Sequence, residues 1–286
     1  MKKILITGKD SYIGTSFINY VKNKKEEYQI TELDVRDEKW KETDFSKYDT
    51  IFHVAGIAHV SSDPKLEDLY YKVNRDLAIE VSRKAKEDGA KQIIFMSSMI
   101  IYGEDEPIGK IKIIDKDTNP STENFYGKSK LEADMAIQEM NDEKYKAVII
   151  RTPMVYGPGC KGNFPRLKKI AEKMPIFPDI DNQRSMIYID NLCEFIYQKI
   201  EAGTSGIFYP QNREYMSTKE IINIMAETMG KKIHFTKIFN PIIRMLSKKV
   251  KIINKVFGNK VYKKNISEGF EYCVVNEKES IIRSIK

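Results

Sequence analysis

Lys3-Ile4-Leu5-Ile6-Thr7-Gly8-Lys9-Asp10-Ser11-Tyr12-Ile13-Gly14 reads as an apolar strand that turns through Thr-Gly into a helix. Such a turn carries backbone N–H groups and a helix amino end toward a pyrophosphate, and glycine permits both the bend and the close approach. Ser11 stands where the middle glycine of a GxxGxxG pattern falls. Placement directly after the first strand makes the turn a dinucleotide-binding signal. Working outward, Thr50 to Ala55, Gln92 to Met96 and Ala147 to Arg151 are further near-continuous apolar runs, as expected of parallel strands covered on both faces. Ile13 to Asn23, Pro64 to Asp88 and Phe125 to Met140 supply the helical crossovers between them. The pattern predicts an α/β protein with a Rossmann-type doubly wound parallel sheet.

Past Arg151 the rhythm changes, with Pro153, Pro158, Pro165, Pro175 and Pro178 falling close together. Proline-punctuated loops beyond the carboxyl end of a sheet commonly build substrate sites. A boundary near residue 155 therefore divides a dinucleotide-binding region, 1–155, from a smaller mixed α/β substrate-binding region, 156–286.

The chain of 286 residues, 41% hydrophobic, is long enough for a substantial core. Cys160, Cys193 and Cys273 lie far apart, in no zinc or disulfide spacing, which predicts a reducing compartment and no metal. Neither a signal peptide nor an apolar stretch long enough to span a membrane is read, so a cytoplasmic location is expected. The net charge of +7 is local: Lys231 to Lys264 holds eleven Lys/Arg and no acid, leaving 37 basic against 41 acidic residues elsewhere, a net of −4. Within that segment, residues 240–257 set Ile242, Leu246, Val250, Ile253 and Phe257 along one helical face, with Lys/Arg opposite. That face suits packing on the substrate region or weak contact with a membrane surface, and the acidic remainder argues against nucleic acid.

A second constellation is Tyr126-Gly127-Lys128-Ser129-Lys130, whose Tyr and Lys share one helical face. Tyr20/Lys24 and Tyr215/Lys219 have the same spacing, so spacing alone selects nothing. Tyr126 is singled out by lying one helix after a strand ending in Met96-Ser97-Ser98. A hydroxyl, a phenol and an ammonium can thereby surround one reacting atom, the cation lowering the phenol's pKa.

Together, Thr7-Gly8 to Gly14, Phe52-His53-Val54-Ala55-Gly56, Val73-Asn74, Ser97-Ser98 with Ile101-Tyr102-Gly103, Tyr126 to Lys130, and Arg151 with Val155-Tyr156-Gly157-Pro158 resemble the extended short-chain dehydrogenase/reductase family. More narrowly, they resemble its NAD-dependent epimerase/dehydratase group acting on nucleotide sugars. The resemblance implies a catalytic trio of Ser98, Tyr126 and Lys130. It implies that Gly8, Ser11, Tyr12, Ile13 and Gly14 hold pyrophosphate. It also implies that Val54, Ala55 and Gly56 line the cofactor, that Asn74 and His59 lie nearby, and that Pro153 approaches the nicotinamide. Homodimers built through the helices bearing Tyr126 and preceding Asp88 are usual for such relatives.

Departures narrow the chemistry. Relatives that eliminate water carry an acid after the catalytic Ser/Thr, whereas Met99 and Ile100 follow Ser98. Hydride transfer with one proton shuttle is what remains. Asp34 lies about 20 residues past the turn, where an NAD-selecting acid is expected. Yet Leu33-Asp34-Val35-Arg36-Asp37 also resembles the family segment that touches adenine, in which case Arg36 would meet a 2′-phosphate. The cofactor is thus NAD, with NADP as the alternative. For substrate, Asn163, Arg166 and Arg184 match positions near the nucleotide diphosphate, and Met154 replaces a substrate-contacting Asn. The leading reading is a nucleotide-sugar 4-epimerase, UDP-glucose 4-epimerase-like, serving polysaccharide precursor synthesis. The alternative is a 4-keto nucleotide-sugar reductase, and a third reading is a non-catalytic dinucleotide sensor.

Overall fold

Alternation of side chains along strands that are apolar on both faces requires two covering layers. The computed structural model supplies them. It describes residues 1–286 apart from 23, 25–27, 59–62, 248–249 and 268, and apart from the side chains of 251–252. His59 lies outside the described residues. The strands in chain order are β1 (Lys2–Thr7), β2 (Tyr28–Leu33), β3 (Thr50–His53), β4 (Gln92–Ser98), β5 (Lys112–Ile114), β6 (Lys146–Thr152), β7 (Met154–Tyr156), β8 (Ile176–Pro178), β9 (Met186–Tyr188), β10 (Gly206–Phe208), β11 (His234–Thr236) and β12 (Lys260–Tyr262). The helices are α1 (Tyr12–Val21), α2 (Glu67–Tyr71), α3 (Leu77–Glu87), α4 (Phe125–Glu139), α5 (Phe164–Lys173), α6 (Ile189–Ala202), α7 (Thr218–Thr228), α8 (Asn240–Ser247), α9 (Lys251–Phe257) and α10 (Glu277–Ile285).

Two compact units emerge. The first comprises residues 1–103, 119–152 and 192–210. Its six strands pair in parallel in the order β10-β6-β4-β3-β1-β2. Leu5, Ile51, Ile93, Phe95 and Ile149 of the sheet share one buried cluster with Ala78, Val81 and Ala85 of α3 and Ala133 and Ile137 of α4. The alternate residue Phe52 meets Phe17 of α1 edge-on at 5.4 Å, and Phe208 of β10 meets Phe195 of α6 at 5.9 Å. The sheet is therefore doubly wound, as the apolar runs predict. Burying each such side chain contributes about 1.5–3 kcal/mol.

From β1 the chain moves outward to β2, then crosses to the other flank of β1 as β3. The carboxyl ends of β1 and β3 thus flank a switch point, the usual crevice for a ligand in an open α/β sheet. Among the described residues the sheet ends at β2. In place of a further outer strand, the following residues form short 3-10 turns, Glu38–Glu42 and Phe45–Lys47, whose Trp40 and Phe45 enter the core.

The second unit comprises residues 104–118, 153–191 and 211–286. Parallel two-stranded pairs β5–β12, β7–β9 and β8–β11 frame it. Tyr156 stacks on Phe164 of α5 at 4.8 Å, and its hydroxyl bonds Ser280 of α10 at 2.5 Å. The division is not the single cut near 155 read from the sequence. Residues 104–118 join the second unit because β5 pairs with β12, and residues 192–210 return to the first because β10 completes the edge of β6.

Residues 240–257 likewise differ from the single helical face expected. They form two short helices. Phe257 of α9 is buried against Phe177 at 5.5 Å, whereas Ile242 and Leu246 of α8, and Val250, are exposed. No described helix is long and apolar enough to cross a membrane.

Candidate dinucleotide and catalytic site

The turn after β1 is bound tightly to both neighbouring strands. Gly8 N donates to Leu33 O at the end of β2, and Val54 and Ala55 N donate to Thr7 O. Gly8 has a φ of 116°, and a Cβ there would lie 2.7 Å from Ala55 N, so both conformation and space demand glycine. At Gly14 a Cβ would meet Ser11 Oγ at 2.6 Å. Ser11 is the amino cap of α1, its Oγ accepting from Gly14 N at 3.2 Å. The residue that replaces the middle glycine is therefore what starts the helix. Tyr12, Ile13 and Gly14 form its first turn and bring its positive end to the crevice.

Asp34 directly follows β2, whose Leu33 is in register with Thr7, so the acid stands beside the turn. Its carboxylate takes the Arg36 guanidinium at 2.9 Å, which holds it at about pKa 2. Both side chains are exposed. Val35, by contrast, packs into the core with Trp40, leaving its main chain for any cofactor contact.

Val54, Ala55 and Gly56 extend from β3 across the crevice. Fully buried Asn74 clamps this loop, accepting from Ile57 N at 2.8 Å and donating to Ile57 O at 3.0 Å. It does so from a π-helical turn, Lys72–Asp76, set between α2 and α3. A Cβ on Gly56 would lie 3.1 Å from Asn74 Oδ1 and 3.3 Å from Lys130 Nζ, so the loop after β3 and the ammonium of α4 converge.

Lys130 donates to Met96 O at 2.9 Å, with its Nζ 4.8 Å above the Phe95 ring. Burial lowers its pKa to about 8. Tyr126, one turn earlier on α4, is hydrogen-bonded to Ser98, the last residue of β4. Its pKa is raised rather than lowered, because burial outweighs the Ser98 bond. The lowering expected from Lys130 is not found: the ammonium is engaged with a β4 carbonyl. The trio predicted from sequence is nevertheless brought together, Ser98 from β4 and Tyr126 with Lys130 from one face of α4.

What holds the trio in place went unread in the sequence. Asp134, one turn beyond Lys130 and fully buried, takes Arg151 of β6 in a two-pronged pair at 2.7 and 3.1 Å, and Ser97 Oγ at 2.5 Å. Arg151 also reaches the Tyr102 and Tyr209 hydroxyls at 2.7 and 3.2 Å. A cation inside an apolar strand demands such a partner, and that was the available signal. Gly127 is equally specific: a Cβ there would fall 2.3 Å from Thr122 Oγ1 and 3.0 Å from Ile100 O. His53, fully buried, bonds Thr7 Oγ1 at 2.7 Å, and burial lowers its pKa to about 3, which keeps it neutral.

In the second unit, Pro153 follows Thr152, the register partner of Ser98. Met154 lies in β7 opposite Met186. Asn163 precedes α5, and exposed Arg166 stands in its first turn. Arg184 has a different task from the phosphate contact expected of it. Buried, it donates to Gly258 O at 3.0 Å, Lys255 O at 2.7 Å and Asn254 O at 2.8 Å, and pairs with Asp105 at 3.0 Å. It thus caps the carboxyl end of α9, where unpaired carbonyls attract a cation. No described group of three or more His, Cys, Asp or Glu is arranged to hold a metal.

Residues 4–224 match the model of the NAD dependent epimerase/dehydratase family. The chain is 29% identical over 254 residues to UDP-glucose 4-epimerase of Vibrio cholerae, covering 80% of this chain and 76% of that one. It is 26% identical over 278 residues to N-acetyl-alpha-D-glucosaminyl-diphospho-ditrans,octacis-undecaprenol 4-epimerase of Escherichia coli O157:H7, covering 90% and 81%. The crystal structure of UDP-glucuronic acid 4-epimerase from Bacillus cereus in complex with NAD shares the fold, with a TM-score of 0.71 at 19% identity over 99% of this chain and 95% of that one.

Proposed function

Since the chain belongs to the NAD dependent epimerase/dehydratase family, we propose that it is a nucleotide-sugar 4-epimerase, acting by transient oxidation at C4. One observation carries the reading. Ser98, Tyr126, Lys130 and Gly56 converge at the carboxyl edge of the sheet, beside a pyrophosphate-type turn, with buried Met99 and not an acid after Ser98. The residues fit a dinucleotide: Gly8 and Gly14 hold the turn open, the α1 amino end faces the crevice, and Asn74 fixes the loop beyond β3.

Bound there, the dinucleotide supplies a reversible hydride acceptor. Tyr126 takes the proton of the sugar C4 hydroxyl and returns it to the keto oxygen once the sugar has turned over. Ser98 orients that oxygen, and its bond to Tyr126 favours the phenolate. Lys130, whose ammonium lies within reach of the Gly56 loop, would hold the ribose. Asp34 is the candidate ribose partner, and its pairing with Arg36 leaves room for an NADP alternative.

Retention of dinucleotide through purification tests the assignment. An epimerase reuses one cofactor, so NAD copurifying and released on denaturation is expected. An empty site that consumes added NADPH stoichiometrically with a 4-keto sugar would favour the reductase instead. That second reading draws on the sheet's end at β2 and on the Asp34–Arg36 pair.

A further inference from the structure

We infer that the exposed apolar face of α8 is a docking surface for an anionic membrane. Ile242 (57% exposed), Met245 (64%) and Leu246 recur on α8 at three- and four-residue spacings, and Ile238 (79%) and Phe239 in the turn just before it are exposed as well. Single apolar side chains are ordinary on a soluble surface, but a contiguous stripe marks an interaction site. The opposite side of α8 is anchored. Asn240 Nδ2 donates to Asp179 O at 2.7 Å, Asn254 Nδ2 donates to Ser247 O at 3.0 Å, and Ser247 is buried. The stripe is consequently a fixed feature of the second unit.

Charge names the occupant. The stripe sits inside Lys231 to Lys264, with eleven Lys/Arg and no acid, of which Lys260 and Lys264 pair with Asp105 and Glu214, in a chain otherwise at −4. Lys237 and Arg244 are exposed around it. A surface both apolar at short depth and negative at its rim satisfies both features, and an anionic bilayer is such a surface. A second copy docked by the same face would set like charges against each other. Nucleic acid would meet the cations but leave the apolar stripe in water. The inference is independent of the epimerase reading, because none of these residues has a part in the chemistry.

The test uses the full chain and sedimentation with vesicles of phosphatidylcholine alone or containing about 30% phosphatidylglycerol. Binding to the anionic vesicles only, weakened by salt, is expected. The variant Ile242→Glu/Met245→Glu should lower partitioning about tenfold or more, with unchanged thermal midpoint and unchanged turnover of a soluble nucleotide sugar. Failure to bind anionic vesicles, or equal binding by the double variant, overturns the inference. So does self-association in sedimentation velocity that the double variant abolishes, since the stripe would then be an interface between copies.

Discussion

Replacing Gly127 by alanine should harm an enzyme in which alanine is, on helix propensity alone, the better residue. In α4 the exchange is worth about 1 kcal/mol of stabilisation. Against this, the new Cβ would lie 2.3 Å from Thr122 Oγ1, 2.8 Å from Thr122 Cγ2 and 3.0 Å from Ile100 O. Rotating Thr122 relieves one contact at a time, and the Ile100 carbonyl is backbone. The start of α4 must therefore retreat by a few tenths of an ångström from the turn after Ser98. Overpacking of this kind costs about 1–3 kcal/mol, so the net is a loss of about 0–2 kcal/mol, or a fall of up to about 8 °C in Tm. The displaced element carries Tyr126, so activity should suffer more than stability, with kcat falling about tenfold or more. Thr122→Ala removes the two closest contacts, and the Gly127→Ala/Thr122→Ala double variant should recover most of the lost kcat. Thermal denaturation and steady-state kinetics on the three variants provide the check. A Gly127→Ala protein with raised Tm and undiminished kcat would refute the packing argument.

Asp134→Ala leaves the Arg151 guanidinium buried without its carboxylate, a loss expected to cost about 3–5 kcal/mol, whereas Asp134→Leu/Arg151→Met should recover much of it. Equilibrium unfolding measures both, and a single-variant loss below about 1 kcal/mol would show that the pair does not pin α4. Burial lowers Lys130 from 10.5 to about 8, so across that window the unfolded chain binds more protons than the folded one and stability rises with pH. The ammonium proposed to hold the ribose is lost over the same window, so NAD affinity should fall as pH rises through about 8. Titration calorimetry from neutral to alkaline pH reads this, with Lys130→Arg flattening the profile. A flat wild-type profile would remove Lys130 from the binding site.

The turn after β1 was legible because its residues answer local demands: a positive φ at Gly8, close packing at Gly14, a helix cap at Ser11. The parallel sheet was legible because strands covered on both faces are apolar throughout. Less was readable where a role depends on distant partners. Arg184 looks like an anion ligand until the carbonyls of α9 and Asp105 are placed around it. Residues 240–257 keep a helical period through a stretch that breaks into two helices, one packed through Phe257 and the other facing solvent. The Tyr126 phenol could not be assessed from its spacing to Lys130 either, because burial, opposed by the Ser98 hydrogen bond, sets the balance.

On the proposed reading, a bound dinucleotide would oxidise and re-reduce one sugar carbon while Tyr126 takes and returns its hydroxyl proton. Supplying a UDP-hexose deuterated at C4 and following the product by NMR tests it most directly. A C4 epimer that keeps its deuterium is expected, with no net change in added dinucleotide and a loss of about 10²–10⁴-fold in rate for Tyr126→Phe. Deuterium lost to exchangeable cofactor or solvent, or turnover undiminished in Tyr126→Phe, would contradict it.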